Sequence, residues 1–183
     1  MALLHSENIP LGTKAGDFTL PGINEKLWSL SDFDDSELLV IMFICNHCPY
    51  VKAVQKRLVE LQSEYDPLKV RLVAINSNDY DTYPEDNLEG MQYTANELDY
   101  NFPYLLDDFQ EVAKDYHAVC TPDFYLYNKD RKLVYHGRLD DNWQEPEKVK
   151  RRELKRAIDT TLKNKRIRFK QLSSMGCSIK WRT

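Results

Sequence analysis

Two cysteines three positions apart, Cys45 and Cys48, are the residues of this chain best suited to chemistry. They stand in Cys45-Asn46-His47-Cys48-Pro49, at the end of the apolar run from Leu38 to Cys45 and the start of a stretch with helical period. The thiolate is the reactive form of cysteine, and the unpaired N–H groups at a helix start favour it. The position therefore predicts an easily ionised Cys45, with Cys48 one turn onward and able to reach back. Such a pair performs thiol–disulfide exchange: Cys45 attacks a disulfide and Cys48 resolves the mixed disulfide. No other cofactor is expected, the redox group being a Cys45–Cys48 disulfide. An imidazolium at His47 would favour the thiolate further; the plainer account is a solvated loop histidine. Zinc on Cys45, His47 and Cys48 is the metal alternative, but no second close Cys/His cluster completes four ligands, so no metal is expected. Covalent haem attachment needs a histidine directly after the second cysteine, where Pro49 stands.

Three further places bear on the chemistry. Val119-Cys120-Thr121-Pro122 sets a proline immediately before a buried strand. A cis X–Pro bond there would remove an N–H and present the Thr121 backbone to an extended partner, as in strand addition. Cys120 and Cys177 are candidate additional redox thiols, a buried inert cysteine and an ordinary tail cysteine being the alternatives. Asp140-Asp141-Asn142-Trp143 reads either as a binding loop or as a turn with a packed Trp.

The elements that must hold these residues are read from period and turn signals. Phe18 to Pro21 and Lys26 to Leu30 form a hairpin about Pro21-Gly22. The run from Leu38 to Cys45 lacks alternation, as expected of a strand covered on both faces. Val51, Val54, Leu58 and Leu61 give one amphipathic helix closing near Asp66-Pro67. Val70 to Ile75 is a second buried strand, and a helix starts at Pro84 and runs to about Leu98. A short strand over Phe102 to Leu106 precedes a helix over Phe109 to Tyr116. Strands on either side of Asn128-Lys-Asp-Arg131 make an antiparallel hairpin, and a last helix covers about Glu147 to Leu162. This order predicts an α/β fold: a central mixed sheet flanked by helices, with an N-terminal hairpin and a helical insertion. The whole of 1–183 is expected to be one domain, with an arm over about 1–15 and an irregular tail over about 165–183.

Composition limits the partners. The chain has 183 residues, is 42% hydrophobic and 30% charged, and carries a net charge of −4, as ordinary globular proteins do. No apolar run is long enough to cross a bilayer. The N-terminus has neither a basic region nor an apolar one of secretory type, which points to the cytoplasm, where close cysteine pairs are redox or metal sites. Basic residues concentrate from Lys148 to Lys170, but Leu154, Ile158 and Leu162 recur beneath them at helical spacing. That describes a solvated helix face rather than a nucleic-acid surface.

Taken together, Gly16-Asp-Phe-Thr-Leu-Pro21, Phe43-Ile-Cys-Asn-His-Cys-Pro-Tyr-Val-Lys52, Ala74-Ile-Asn-Ser-Asn-Asp79, Cys120-Thr-Pro-Asp-Phe124, Gly137-Arg-Leu-Asp-Asp-Asn-Trp143 and Met175-Gly-Cys-Ser-Ile-Lys-Trp181 resemble the peroxiredoxin-like, or alkyl-hydroperoxide-reductase-like, branch of the thioredoxin-like superfamily. Its members combine a peroxiredoxin framework with a CxxC pair. The resemblance implies the thioredoxin-like fold, with Pro122 as the cis-proline facing the thiols and Thr121 beside it at the substrate. The resemblance leaves the substrate undefined; the CxxC chemistry itself points to protein or small-molecule disulfides and thiols as partners, with peroxide as the alternative substrate. Two departures stand out. Leu39 replaces the buried acid that thioredoxin keeps six residues before its first cysteine. Met42 replaces the peroxiredoxin threonine, without which peroxide is less well positioned. Three functions are compatible with these residues: thiol–disulfide oxidoreductase, thiol-dependent peroxidase, and a redox-inert binding module.

Overall fold

The run Leu38–Phe43 is buried along its whole length. Val40, Met42, Ile44 and both motif cysteines belong to one core, while Leu39, Ile41 and Phe43 belong to another. A strand sandwiched this way has no polar face, which is why its sequence shows no alternation.

The computed structural model describes residues 3–182, so the extreme ends of the expected arm and tail, residues 1–2 and 183, lie outside it. Strand β1 (Leu3–His5) leads into the expected hairpin of β2 (Thr19–Pro21) and β3 (Leu27–Ser29). The central strand is β4 (Leu38–Phe43), and helices α1 (Pro49–Lys52) and α2 (Gln55–Ser63) come after it. Then come β5 (Val70–Asn76), α3 (Leu88–Glu97), β6 (Tyr104–Leu106) and α4 (Glu111–Asp115). The chain ends with β7 (Cys120–Thr121), β8 (Asp123–Tyr127), β9 (Leu133–Gly137), α5 (Glu153–Leu162) and β10 (Met175–Ser178). Five strands form a mixed sheet in the order β6-β5-β4-β8-β9, with β4, β5 and β6 parallel and β8 and β9 antiparallel. This is a thioredoxin-like fold. Helices α2 and α5 bury Leu58, Leu61, Leu154 and Ile158 on one face. Helix α4 buries Val112 and Ala113 on the other.

Four expected elements differ in extent. The helix after the motif is broken at Ala53 and Val54, where the Arg57 guanidinium donates to the Ala53 carbonyl at 3.2 Å. The helix expected from Pro84 is a single 3-10 turn at Pro84–Asp86, after which Asn87 restarts it by capping Gly90 N–H at 2.8 Å. The last helix begins at Glu153 rather than Glu147, because Asp141 holds the N–H groups of Lys150 and Arg151 in an extended segment. The helix expected over Phe109 to Tyr116 shrinks to Glu111–Asp115.

The expected irregular tail is corrected. Its residues Met175–Ser178 are a strand, β10, pairing antiparallel with β1 on one side and with β7 on the other, Cys177 opposite Thr121. Met-Gly-Cys-Ser has no strand-like pattern of its own, so partners supply what the sequence lacks. The basic stretch behaves as expected, burying Leu154, Ala157 and Ile158 while Lys155 bridges to Glu64 and Asp159.

Candidate active site

The end of β4 and the start of α1 place the two cysteines. Cys48 is the residue that precedes the first helical turn, and Pro49 occupies the first helical position, where its missing N–H costs nothing. The four cysteines are all thiols. Opposite the pair lies the Thr121–Pro122 peptide, which is cis. Cys45 Sγ is 3.3 Å from Thr121 Oγ1, and Cys48 Sγ is 3.3 Å from the Thr121 carbonyl oxygen. The residues expected to form a substrate-facing loop are therefore in contact with the residues expected to form the redox pair.

The sulfurs are well covered, with Cys45 1% exposed and Cys48 0%. Their electrostatics differ from the simple helix-end expectation. The donors reach Cys48: the Cys45 thiol first, then the Cys177 thiol and the Val51 and Cys177 N–H groups. These bonds outweigh burial and bring Cys48 down to about 5. Burial, its bond to Cys48 and the charge of Asp86 push Cys45 well up. The donors thus favour charge on Cys48, and burial opposes it on Cys45.

The intervening residues face a site that the sequence did not reveal. Asn46 N–H donates to Asp86 Oδ1 at 2.6 Å, its side-chain NH2 donates to the Glu85 carbonyl at 2.6 Å, and its Oδ1 accepts from Tyr104 Oη at 3.1 Å. His47 Nδ1 meets Asp86 Oδ2 at 2.5 Å while the ring stacks on Tyr83 at 4.6 Å. His47 is thus tied to a carboxylate and is no solvated loop residue. Asp86 also accepts from Asn78 Nδ2 at 2.8 Å. Burial would raise this carboxyl, but the bonds from His47, Asn78 and Asn46 hold it below its usual value. A buried acid does stand beside Cys45, supplied by the Pro84–Asp86 turn in place of the Leu39 position. Only a short acidic turn, Pro84-Glu-Asp-Asn87, marked it in the sequence.

One ligand atom each from Cys45, His47 and Asp86 lies within 4.8 Å of the others, and this is the one such grouping among the described residues. Both Asp86 oxygens and His47 Nδ1 are already engaged in hydrogen bonds to each other and to Asn46 and Asn78. These bonds orient the loop.

A second buried acid lies just past the proline. Asp123 accepts from Tyr125 Oη at 3.0 Å and meets His136 Nε2 at 3.0 Å. Burial, reinforced by the Asp123 charge, pushes the Cys120 thiol far up, so Cys120 stays protonated. Cys177 is pushed up to about 12 by burial and by donating to Cys48. Its place against Cys48 had no local sign in the sequence.

The Asp140–Trp143 loop closes one side. Arg57 from α2 pairs with Asp140 and donates to the Asn142 and Trp143 carbonyls at 3.0 and 2.6 Å. Trp143 packs on Tyr50 with centroids 4.2 Å apart. Beside Pro122 this leaves a cavity of about 150 Å³, lined by Val54, Phe124, Leu139, Trp143 and Met175. The loop is both a packed turn and the wall of a small pocket, whose lining also includes Arg138, Asp140 and Asp141.

Comparison with known proteins fits this geometry. The family model described as "AhpC/TSA family" matches residues 11–136. No curated protein matches the chain. Among solved structures, an uncharacterized conserved protein from Geobacillus kaustophilus is 46% identical, with all of this chain and 97% of that one covered at a TM-score of 0.94. A hypothetical protein from Sinorhizobium meliloti 1021 is 42% identical, covering 97% and 98% at a TM-score of 0.91. The exposed lipoprotein thioredoxin of Streptococcus pneumoniae shares the fold at 24% identity, covering 81% and 99% at a TM-score of 0.60. Among the described residues no helix is long and apolar enough to cross a membrane.

Proposed function

The chain belongs to the AhpC/TSA family of thioredoxin-like proteins, and on that basis we propose that it is a thiol–disulfide oxidoreductase cycling Cys45 and Cys48 between dithiol and disulfide. The observation that carries this reading is the double contact of Thr121 with the pair, hydroxyl to Cys45 and carbonyl to Cys48.

That contact supports two placements of one proton. At rest the Cys45 thiol donates to a Cys48 thiolate. When the proton crosses that bond, the Cys48 thiol donates to the Thr121 carbonyl and the Thr121 hydroxyl donates to a Cys45 thiolate. Cys45 then attacks a substrate disulfide, forming a mixed disulfide and expelling one substrate thiolate. Cys48 passes its proton to that leaving group and attacks Cys45 Sγ, so the internal disulfide forms as the second substrate sulfur departs. Two electrons move from the dithiol to the substrate. Asp86, through His47 and the Asn46 N–H, holds the loop in the geometry this requires. A reducing compartment such as the cytoplasm would keep the dithiol available as donor. Protein and small-molecule disulfides both suit the chemistry.

The test is reduction of insulin disulfides with a thiol recycling the enzyme. Activity should vanish in Cys45→Ser and in Cys48→Ser, and Cys48→Ser should accumulate the mixed disulfide through Cys45. If Cys45→Ser traps it instead, the order of attack is reversed. If wild type neither reduces insulin nor forms the internal disulfide, the redox-inert module is the correct reading.

Family membership and the Thr121 hydroxyl beside Cys45 also favour a second reading, peroxide reduction through a Cys45 sulfenic acid that Cys48 condenses with. Peroxide consumption that survives Cys48→Ser with added thiol would select it.

A further inference from the structure

Cys48 has two sulfur neighbours. One is Cys45, its partner in the motif. The other is Cys177, whose thiol and backbone N–H both donate to Cys48 Sγ. Cys177 arrives there on β10, which pairs antiparallel with Cys120–Thr121, in register opposite Thr121. This is the backbone edge an extended substrate would use in strand addition, so the chain's own terminal strand occupies the place of a substrate and carries a cysteine into it. The close approach depends on Gly176. A Cβ there would lie 1.9 Å from the Thr121 carbonyl oxygen and 3.2 Å from Pro122 Cδ. Strand β1 holds β10 from its other side, Leu3 opposite Cys177.

We propose that Cys177 is a third redox thiol, an internal exchange partner of Cys48. The step rests on the oxidoreductase reading and begins once the Cys45–Cys48 disulfide has formed. Cys177 Sγ, giving up its proton, attacks Cys48 Sγ. The Cys45–Cys48 bond breaks, a Cys48–Cys177 bond forms, and Cys45 leaves as a thiolate that takes up the proton. No net oxidation occurs. The oxidising equivalent moves from the motif to the terminal strand, and Cys45 is again reduced while β10 is fastened over the site. A small thiol then returns Cys48 and Cys177 to the reduced state by ordinary exchange.

Disulfide mapping on the full chain tests this. Trypsin leaves Cys45 and Cys48 together on the peptide 27–52 and Cys177 on 171–180. After oxidation with glutathione disulfide and an acid quench, wild type should yield both an internal 27–52 disulfide and a link from 27–52 to 171–180. In Cys45→Ser the link should persist in most chains, because it runs through Cys48; in Cys48→Ser it should be largely lost. The proposal is overturned if wild type shows the internal disulfide alone and Cys45→Ser leaves Cys48 and Cys177 both alkylated. That result would leave the oxidoreductase reading intact. Failure of any disulfide to form in wild type would remove both. Cys177→Ser, expected to retain the internal disulfide, separates loss of exchange from loss of folding.

Discussion

Substituting Gly176 by alanine tests whether β10 closes the site. The added Cβ would stand 1.9 Å from the Thr121 carbonyl oxygen and 2.6 Å from its carbon, whereas carbon–oxygen contact is ordinary beyond 3.4 Å. The obstacle is backbone, so the strand must retreat by about 1.5 Å, comparable to an overpacked core costing roughly 1–3 kcal/mol. That retreat breaks the pairing of Cys177 with Thr121 and removes the two Cys177 donors from Cys48. Hydrogen bonds to a charged acceptor contribute about 1.5 kcal/mol each, and one pH unit corresponds to 1.36 kcal/mol. Their loss therefore raises the Cys48 titration by about two pH units. Partial rehydration of the sulfur works the other way, because burial opposes the charge. The Cys45 thiol, the largest donor, remains. The expected net is an upward move of about one pH unit from a value near 5. Thiolate absorbance recorded against pH reads the midpoint, and iodoacetamide labelling with peptide mapping reads access. Faster labelling of the 27–52 peptide with a higher midpoint is the expected pair of results. An unchanged midpoint and labelling rate would contradict this account, since β10 would then neither charge nor cover Cys48.

The same geometry sets the outcome of other perturbations. Asp86→Asn removes a charge within 4.8 Å of Cys45 Sγ; at that distance and an effective dielectric of about 20 the repulsion is about 3.5 kcal/mol before screening by the surrounding dipoles. In a Cys48→Ser background the pH midpoint for mixed-disulfide formation should fall by about one unit, and a rise would show that Asp86 acts only by positioning the loop. Arg57→Met strands Asp140, which burial already raises, and should cost about 3–5 kcal/mol in urea unfolding; adding Asp140→Asn should restore part of it. Acid should weaken the fold through Asp86, Glu64 and Asp159, whose carboxyls are all held below their usual values of 3.8 to 4.5. The stability they add is complete above those values and is lost as pH falls through and below them. Asp140, raised by burial, opposes this, so Asp86→Asn should flatten the acid limb of a stability–pH curve and Asp140→Asn should steepen it.

Much of the scaffold was legible before any coordinates. An unbroken apolar run had to be a doubly covered strand, and Val40 and Leu39 do enter opposite cores. Three- and four-residue spacing after Cys48 had to be a helix, and Leu58 and Leu61 are its buried stripe. Those signals are local, because period and turn chemistry act over a few residues. For the same reason they misplaced ends: Asn87 restarts one helix and Asp141 delays another, each through a side chain bonded to backbone.

Local patterning was enough to establish that two thiols stand at a strand–helix junction and that a proline precedes the strand pairing with it. Which groups surround them was left to the packing of distant segments. Asp86 reaches the motif from a separate turn, Asp123 meets His136 across a hairpin, and β10 becomes a strand because β1 and β7 offer it edges. No period in the chain encodes such meetings, since they depend on where long loops close. The donors that favour charge on Cys48 come from Cys45, Cys177 and Val51 together, and one of those three lies at the far end of the chain.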